Sequence, residues 1–459
     1  MSARVVVVGG GVSGLTVAYR LLRAHPTPEI TVLESDVRPG GRLTSVAVGG
    51  LWLPAAADSF VARKLWAADL CRELGLELEG PRATGAYLWT PEGLVPMLRD
   101  AAFGIPADVG DVLRWPGVSR RGRRRALLDL LRRAERGEGD RTLGGLLRRR
   151  LGDEATERAV APLLEGLFAG DADRLSLAAT FPELAAWERV QGSLIRGSQA
   201  ARRQARNADP GPVFLRPRGG IEALPAALVA ALGERVRTAS RATSIARRAD
   251  AWTIETEGGP AIDADAVVLA GDGASASMLL EPIAPDAAAG IGAIPAASTG
   301  VVLLVYARAT RDAFPDGTGF VVPRGSAPMT ACTWLSNKWA APAFEDRAVA
   351  RCFVGGVGAE DLLGEADGDL IEACARHLAA LVDLPSAPEH AAVVRWPDSM
   401  PQYEVGHLDR VARIRRSLPA GIFVVGQPYD GVGIADCVRA ASTTAEQVIV
   451  SLDRDREHA

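Results

Sequence analysis

The 459-residue chain is poor in lysine, cysteine and histidine, and each scarcity excludes something. Its five cysteines (71, 332, 352, 374 and 437) stand singly, with an odd total and no C-x-x-C pair. Neither a disulfide framework nor a zinc site is expected, and a reducing compartment fits. Of five histidines none is in ligand spacing with another, so no metal is expected. No apolar run reaches the roughly 18–20 residues that span a bilayer. The first strand starts without a charged-then-apolar leader, so no signal or transit peptide is expected and the location reads as cytoplasmic. A net charge of −4 is not that of a nucleic-acid binder, and none is expected as a partner. Repeats and low-complexity tracts are absent. Lys64 and Lys338 are the only lysines among 52 basic residues, a bias that suggests a GC-rich genome. A lysine that survives there either persists on the surface by chance or is needed for its compact ammonium. The remaining composition, 48% hydrophobic and 24% charged, is that of a soluble globular protein, and the length implies two or three associated domains.

What is present begins at once. Residues 4–14 read RVVVVGGGVSG, a valine strand running into glycines and then an apolar helix. Gly9, Gly11 and Gly14 have the G-x-G-x-x-G spacing, with Gly10, Val12 and Ser13 completing the loop. Gly9 permits a sharp turn, Gly11 a close backbone approach to a pyrophosphate, and Gly14 close helix–strand packing. Glu34 ends the strand 31-TVLE-34, twenty residues after Gly14, where a carboxylate accepts ribose hydroxyls. A tight turn alone would need neither the helix nor the acid, so a dinucleotide site is expected.

After Glu34 and Ser35, the element Gly40-Gly41-Arg42 resembles the flavin loop of FAD proteins of the amine-oxidase and phytoene-desaturase superfamily. A simple turn after Pro39 is the alternative. The resemblance implies an α/β (α+β overall) fold in which a Rossmann-type FAD-binding domain is built from discontinuous segments, 1–60, 212–285 and 395–459. Strand and helix patterns at 213–228, a hairpin at 241–259, a buried strand at 264–271 and a strand–loop–helix at 421–452 supply its pieces. Residues 61–106 and 286–394 then form a mixed-sheet substrate domain. Residues 107–211 form a helical, Arg-rich domain, with leucines at helical spacing in 126–138 and 143–154. From Arg114 to Arg150 thirteen arginines face four acidic residues. A solvated helix face is one reading. A peripheral contact with anionic membrane, at its inner face, or with a partner enzyme is the other.

Stretches along the whole chain, in order, resemble the bacterial coproporphyrinogen III and protoporphyrinogen IX oxidases. They include 57-ADSFVARK-64, 103-FGIP-106, 162-PLLEGLFAGDADRLSLAATFPEL-184, 330-TACTWLSNKW-339, 395-RWPDSMPQYEVGHLDR-410 and 429-YDGVGIADC-437. The resemblance implies FAD-dependent oxidation of coproporphyrinogen III to coproporphyrin III in haem biosynthesis, with dioxygen as acceptor and hydrogen peroxide as product. Protoporphyrinogen IX is the alternative substrate. A flavin amine or natural-product oxidase, or a non-catalytic tetrapyrrole- or flavin-binding partner, remains open on the same scaffold, as monomer or homodimer. Carried over residue by residue, the FAD contacts fall on Gly9 to Gly14, Glu34, Ser35, Gly41, Arg42, Ala56, Ala57, Asp58, Ser59, Ala242, Trp396, Val432, Gly433 and Ile434. Lys64 falls at the position meeting a substrate propionate, with Arg63 and Lys338 as weaker candidates. Trp396 also reads as a core residue. His407 reads as a hydrogen-bonding or capping residue, and no acid or base is assigned.

Five positions depart from the pattern: Pro54, Ala56, Gly271, Asp272 and Ala435. A methyl group at 56 is expected to crowd the flavin.

Overall fold

The valine run forms the strand Arg4–Val8, the middle of a five-stranded parallel sheet. This computed structural model describes residues 2–99, 101–135, 139–207, 211–248 and 251–458. Across the sheet the order is Val236–Arg237, Glu29–Leu33, Arg4–Val8, Ala266–Leu269 and Ile422–Val424. Alternation decides its two faces. Val5 and Val7 pack among Leu15, Leu228 and Val438, from the helices Val12–Leu22, Ala223–Leu232 and Ile434–His458. Val6 points the other way, toward Ile254, Leu279 and Ile291. Such valines are buried on both faces, each contributing about 1.5–3 kcal/mol by leaving water.

A second, seven-stranded mixed sheet runs the apolar strand Ala296–Ala307 between His390–Pro401 and Arg347–Gly355. It continues through Ala331–Trp334, Gly319–Val321, Tyr87–Thr90 and Gly93–Pro96. Helices between 109 and 207 enclose a third core around Leu146, Leu164 and Phe181.

Three expected boundaries are corrected. Position 395 falls inside the strand His390–Pro401, because Ala391 to Trp396 pair with the central strand Ala296–Ala307. The helix Leu65–Glu73 packs with the nucleotide half, since Ala67, Ala68, Leu70 and Cys71 share the core of Val5 and Leu15. The helix expected over 126–138 instead spans Arg120–Leu127 and ends in one tight turn, Leu128–Leu130. There the guanidinium of Arg150 bonds the carbonyls of Asp129, Arg132 and Arg133, so helix amides do not take them. Residues 136–138, with Arg136, lie outside the described residues.

Candidate active site

The parallel strands Arg4–Val8, Glu29–Leu33 and Ala266–Leu269 all end at one cavity, with Val8, Leu33 and Ala270 in its wall. This is the topological switch point, where neighbouring strands diverge and a crevice opens. The cavity measures about 1750 Å³, more than the roughly 300–1,000 Å³ of a single drug-sized ligand. It has room for a dinucleotide and a second, sizeable molecule.

Its nucleotide end is built by glycines with different tasks. Gly9 has φ of +111°, and a Cβ there would lie 2.8 Å from Gly271 N. A Cβ on Gly14 would reach 1.9 Å from the Gly9 carbonyl oxygen, so helix and strand meet only over glycine. Gly11 differs: a Cβ there meets no protein atom within 4 Å and would project into the cavity. Its bare backbone caps the helix Val12–Leu22, whose free amides face the same space. Glu34 stands beside it, one oxygen taking Gly10 N at 2.8 Å and the other Asp36 N at 2.8 Å and the Ser35 hydroxyl at 3.3 Å. Both Glu34 and Ser35 line the cavity, as do Ser240, Arg241 and Ala242. These features fit a flavin adenine dinucleotide: a phosphate cradle that a Cβ would fill, and a fixed carboxylate for ribose.

Gly40 N donates to the Gly10 carbonyl at 2.8 Å, which lays the Gly40–Arg42 loop along the phosphate loop. Arg42 bonds the side chain of Gln427, whose Nε2 donates to the Val432 carbonyl at 2.9 Å. Burial pulls the Arg42 guanidinium below its ordinary pKa. Tyr403 OH donates to the Gln427 carbonyl and accepts from Gly431 N at 2.7 Å. The turn Val432–Gly433–Ile434 is thereby held in the cavity wall. Opposite it, Trp396 Nε1 donates to the Ala55 carbonyl at 2.9 Å. Ala56, Ala57 and Ser59 line the cavity beside it. Trp396 is thus both a packing residue and a wall residue.

Two expected site residues lie elsewhere. Lys338 is outside the cavity and buried, its Nζ 3.0 Å from Asp58 Oδ1. Asp58 likewise faces away from the cavity wall, toward Lys338, Trp339 and Arg351. Neither side chain lines the cavity. The Asp58 carboxylate turns inward instead, where two cations claim it. Lys64 does line the cavity, but both Asp436 oxygens hold its Nζ, at 2.8 and 2.6 Å. Arg63 is the more open cation, with only a 4.0 Å contact to Glu183 and its guanidinium over the Phe103 ring.

The stretches 103–106, 162–184 and 395–410 supply most of the apolar end, a role that their resemblance did not assign. Phe103, Leu167, Phe168, Phe181, Phe353 and Met400 line it. The P-Q-Y stretch carried a signal for two supports: Tyr403, described above, and Gln402, whose amide donates to the Phe168 carbonyl at 2.9 Å. Among the departures, Asp272 caps the helix Gly273–Leu280 through Ser275 N at 2.8 Å. His407 is buried and stacks on Tyr403 at 3.9 Å, its Nε2 without a partner among the described residues. Burial lowers its pKa to about 4. Stacking, rather than the expected hydrogen bond from that nitrogen, places it.

Half of the described arginines in the run turn inward. Arg150 is fully buried against Glu188 and Asp129, Arg141 and Arg149 bond Glu188 too, and Arg125 reaches the carbonyls of residues 148–150. Arg148 is shared among Asp153, Glu157 and Asp173. Arg114, Arg120, Arg121, Arg124, Arg132 and Arg133 remain exposed. No helix among the described residues is long and apolar enough to cross a membrane.

A Rossmann-type loop, a second glycine loop, and a C-terminal turn closing over a two-ligand cavity define an FAD-dependent oxidoreductase. The chain belongs to the flavin containing amine oxidoreductase family, whose profile matches residues 12–449. It is 31% identical to the coproporphyrinogen III oxidase of Bacillus subtilis (strain 168), over 98% of each chain. Identity to the coproporphyrinogen III oxidase of Mycobacterium tuberculosis (strain ATCC 25618 / H37Rv) is 33%, over 97% of each. A solved structure from Exiguobacterium sp. 255-15, provisionally named a protoporphyrinogen oxidase, superposes with a TM-score of 0.86 at 32% identity, over 99% of each chain.

Proposed function

We propose that this chain oxidises coproporphyrinogen III to coproporphyrin III, with dioxygen as acceptor and hydrogen peroxide as product. The observation that carries the reading is the cavity itself: one end fits FAD, and the other is a wide aromatic chamber with cations at its edge. Near-full-length relatives bearing the name coproporphyrinogen III oxidase support it. A porphyrinogen is a large apolar ring with carboxylate arms, which needs that combination.

The balance is three two-electron oxidations, six hydrogens leaving the macrocycle as three dioxygen molecules become three of hydrogen peroxide. FAD, when bound, supplies the hydride acceptor. The residues assigned to hold it are Gly9 to Gly14, Glu34, Ser35, Gly41, Arg42, Ala56, Ala57, Ser59, Ala242, Trp396 and Val432 to Ile434. The protein's own work is placement. Phe103, Phe168 and Phe181 form a dry wall for the macrocycle, and Arg63 offers its exposed guanidinium to one propionate. Lys64 meets a second only by leaving or sharing Asp436. No side chain need act as acid or base.

Protoporphyrinogen IX is the second reading, favoured by a 30% identical relative named chloroplastic protoporphyrinogen oxidase in Oryza sativa subsp. japonica. Initial rates with both porphyrinogens in air test the choice. Coproporphyrinogen III should give the higher kcat/KM, since its two extra carboxylates reach the cationic edge. A preference for protoporphyrinogen IX would reverse the assignment.

We also propose a cytoplasmic protein that touches anionic lipid at the inner membrane face. Exposed Leu113, Leu128 and Leu131 stand among its outward arginines, Leu131 at 81% exposure.

A further inference from the structure

Behind residues 56–59 three ionised side chains do not balance. Asp58 accepts from Lys338 Nζ at 3.0 and 3.1 Å and from the Trp339 indole at 2.9 Å, and its Oδ2 lies 3.5 Å from Arg351 Nη2. Asp58, Lys338 and Arg351 are 5%, 7% and 2% exposed. One carboxylate against two cations leaves one positive charge in excess, away from water. Arg216 lies 4.0 Å over the Trp339 ring, but Glu79 matches it at 2.7 Å. The excess therefore stays with Lys338 and Arg351.

A buried unmatched charge is costly, so its retention calls for a compensating charge. Burial first, with repulsion from Arg351 adding to it, draws Lys338 below its ordinary pKa against the pull of Asp58. Arg351 reaches toward the cavity from the strand Arg347–Gly355. Its Nη1 donates to the Ala56 carbonyl at 2.5 Å, and its Nε has no partner among the described residues. Ala56 is itself cavity wall. Among the described residues no second carboxylate bonds this cluster. A flavin ring, however, gains negative charge when two electrons and one proton reduce it.

We propose that Asp58, Lys338 and Arg351 form a fixed electropositive mount behind the 56–59 wall, positioning residues whose excess charge favours the reduced flavin. The proposal rests on the flavin end of FAD lying against Ala56 and Ala57. It does not depend on which substrate is oxidised, so its failure is separable from that of the porphyrinogen reading. Lys338 acts through charge and through Asp58, never on substrate.

The test is a dye-equilibrated redox titration of the FAD-loaded protein, with FAD affinity measured separately by fluorescence. Asp58→Asn enlarges the excess and should raise the reduced-to-oxidised ratio at a fixed poise about tenfold, roughly 30 mV for this two-electron couple. Lys338→Met removes the excess and should lower the ratio about as much. Arg351→Lys keeps the charge and should stay within about threefold of the parent, even with FAD affinity weakened by loss of the Ala56 bond. The double variant Asp58→Asn/Lys338→Met leaves Arg351 alone with one charge and should also stay within about threefold. A merely architectural cluster would move both single variants the same way, or neither; either result overturns the proposal. If Lys338→Met does not fold, Asp58→Asn still decides by its sign, because an unchanged or lowered ratio refutes the mount.

Discussion

Neutralising Asp436 asks whether a substrate carboxylate has to compete for Lys64. The ammonium is held by both Asp436 oxygens, across a contact joining residues 372 positions apart. A charge-assisted hydrogen bond is worth about 1.5–3 kcal/mol. The Lys64 side chain is 35% exposed, so screening reduces this to about 1 kcal/mol. At 1.4 kcal/mol per decade, that is about fivefold in affinity. Asp436→Asn removes the internal competitor and should lower the apparent KM for coproporphyrinogen III about fivefold. Lys64→Ala should raise it by at least that much, because Asp436 then repels the incoming carboxylate. The double variant should fall between them. The assay is the initial rate of porphyrin fluorescence, with flavin content measured on each preparation. An ester-blocked porphyrinogen, lacking the charge, should show no such ordering. If both single variants raised KM equally, with the double no worse than either, the pair would merely anchor the helix Ile434–His458, and the propionate role of Lys64 would be refuted.

Other outcomes follow from the same geometry. Gly11→Val should fold with a near-parental melting temperature yet lose FAD, because its side chain meets only cavity, whereas Gly14→Ala should destabilise the fold itself by driving into the Gly9 carbonyl; full flavin occupancy in Gly11→Val would contradict the loop assignment. His407 titrates near 4 when folded and near 6.5 when unfolded, so the unfolded chain binds the extra proton and stability is lost as pH falls from about 6.5 toward 4, by up to roughly 3 kcal/mol. His407→Phe keeps the stack on Tyr403 and should narrow the difference in melting temperature between pH 7 and pH 5; an unchanged difference would place that sensitivity elsewhere. Binding to acidic vesicles through Arg114, Arg120, Arg121 and Arg124 should fall steeply with salt, exposed charges being screened within about 10 Å at 0.1 M. No binding at low salt would leave those arginines as an ordinary solvated face.

The nucleotide end was legible because its chemistry is local. A strand, three glycines and an acid lie within thirty-one residues, and each has one geometric task. The valine strand follows from a short continuous apolar run that ends at glycines, and the hairpin Ala242–Arg248 with Ala251–Thr256 from its strand patterning. The cations were harder. Residue type marks Lys64 and Lys338 as scarce, but their partners, Asp436 and Asp58, lie 372 and 280 positions away, and no spacing rule reaches that far. Lys338 therefore looked like a substrate group and proved to be buried support. The arginine run misled for a related reason. Its balancing acids, Glu157, Asp173 and Glu188, lie beyond its end, so counting charge inside 114–150 overstated what faces solvent. The aromatic chamber was not legible as a unit because it gathers side chains from four separate stretches, through Phe103, Phe168 with Phe181, Phe353 and Met400, which only the fold brings together.

Anaerobic mixing of the FAD-loaded protein with coproporphyrinogen III shows whether this porphyrinogen reduces the flavin. Flavin absorbance should bleach as porphyrin appears, and admitting air should restore it with formation of hydrogen peroxide. A flavin that stays oxidised with coproporphyrinogen III, yet is bleached by protoporphyrinogen IX or by an amine, would contradict the coproporphyrinogen III reading.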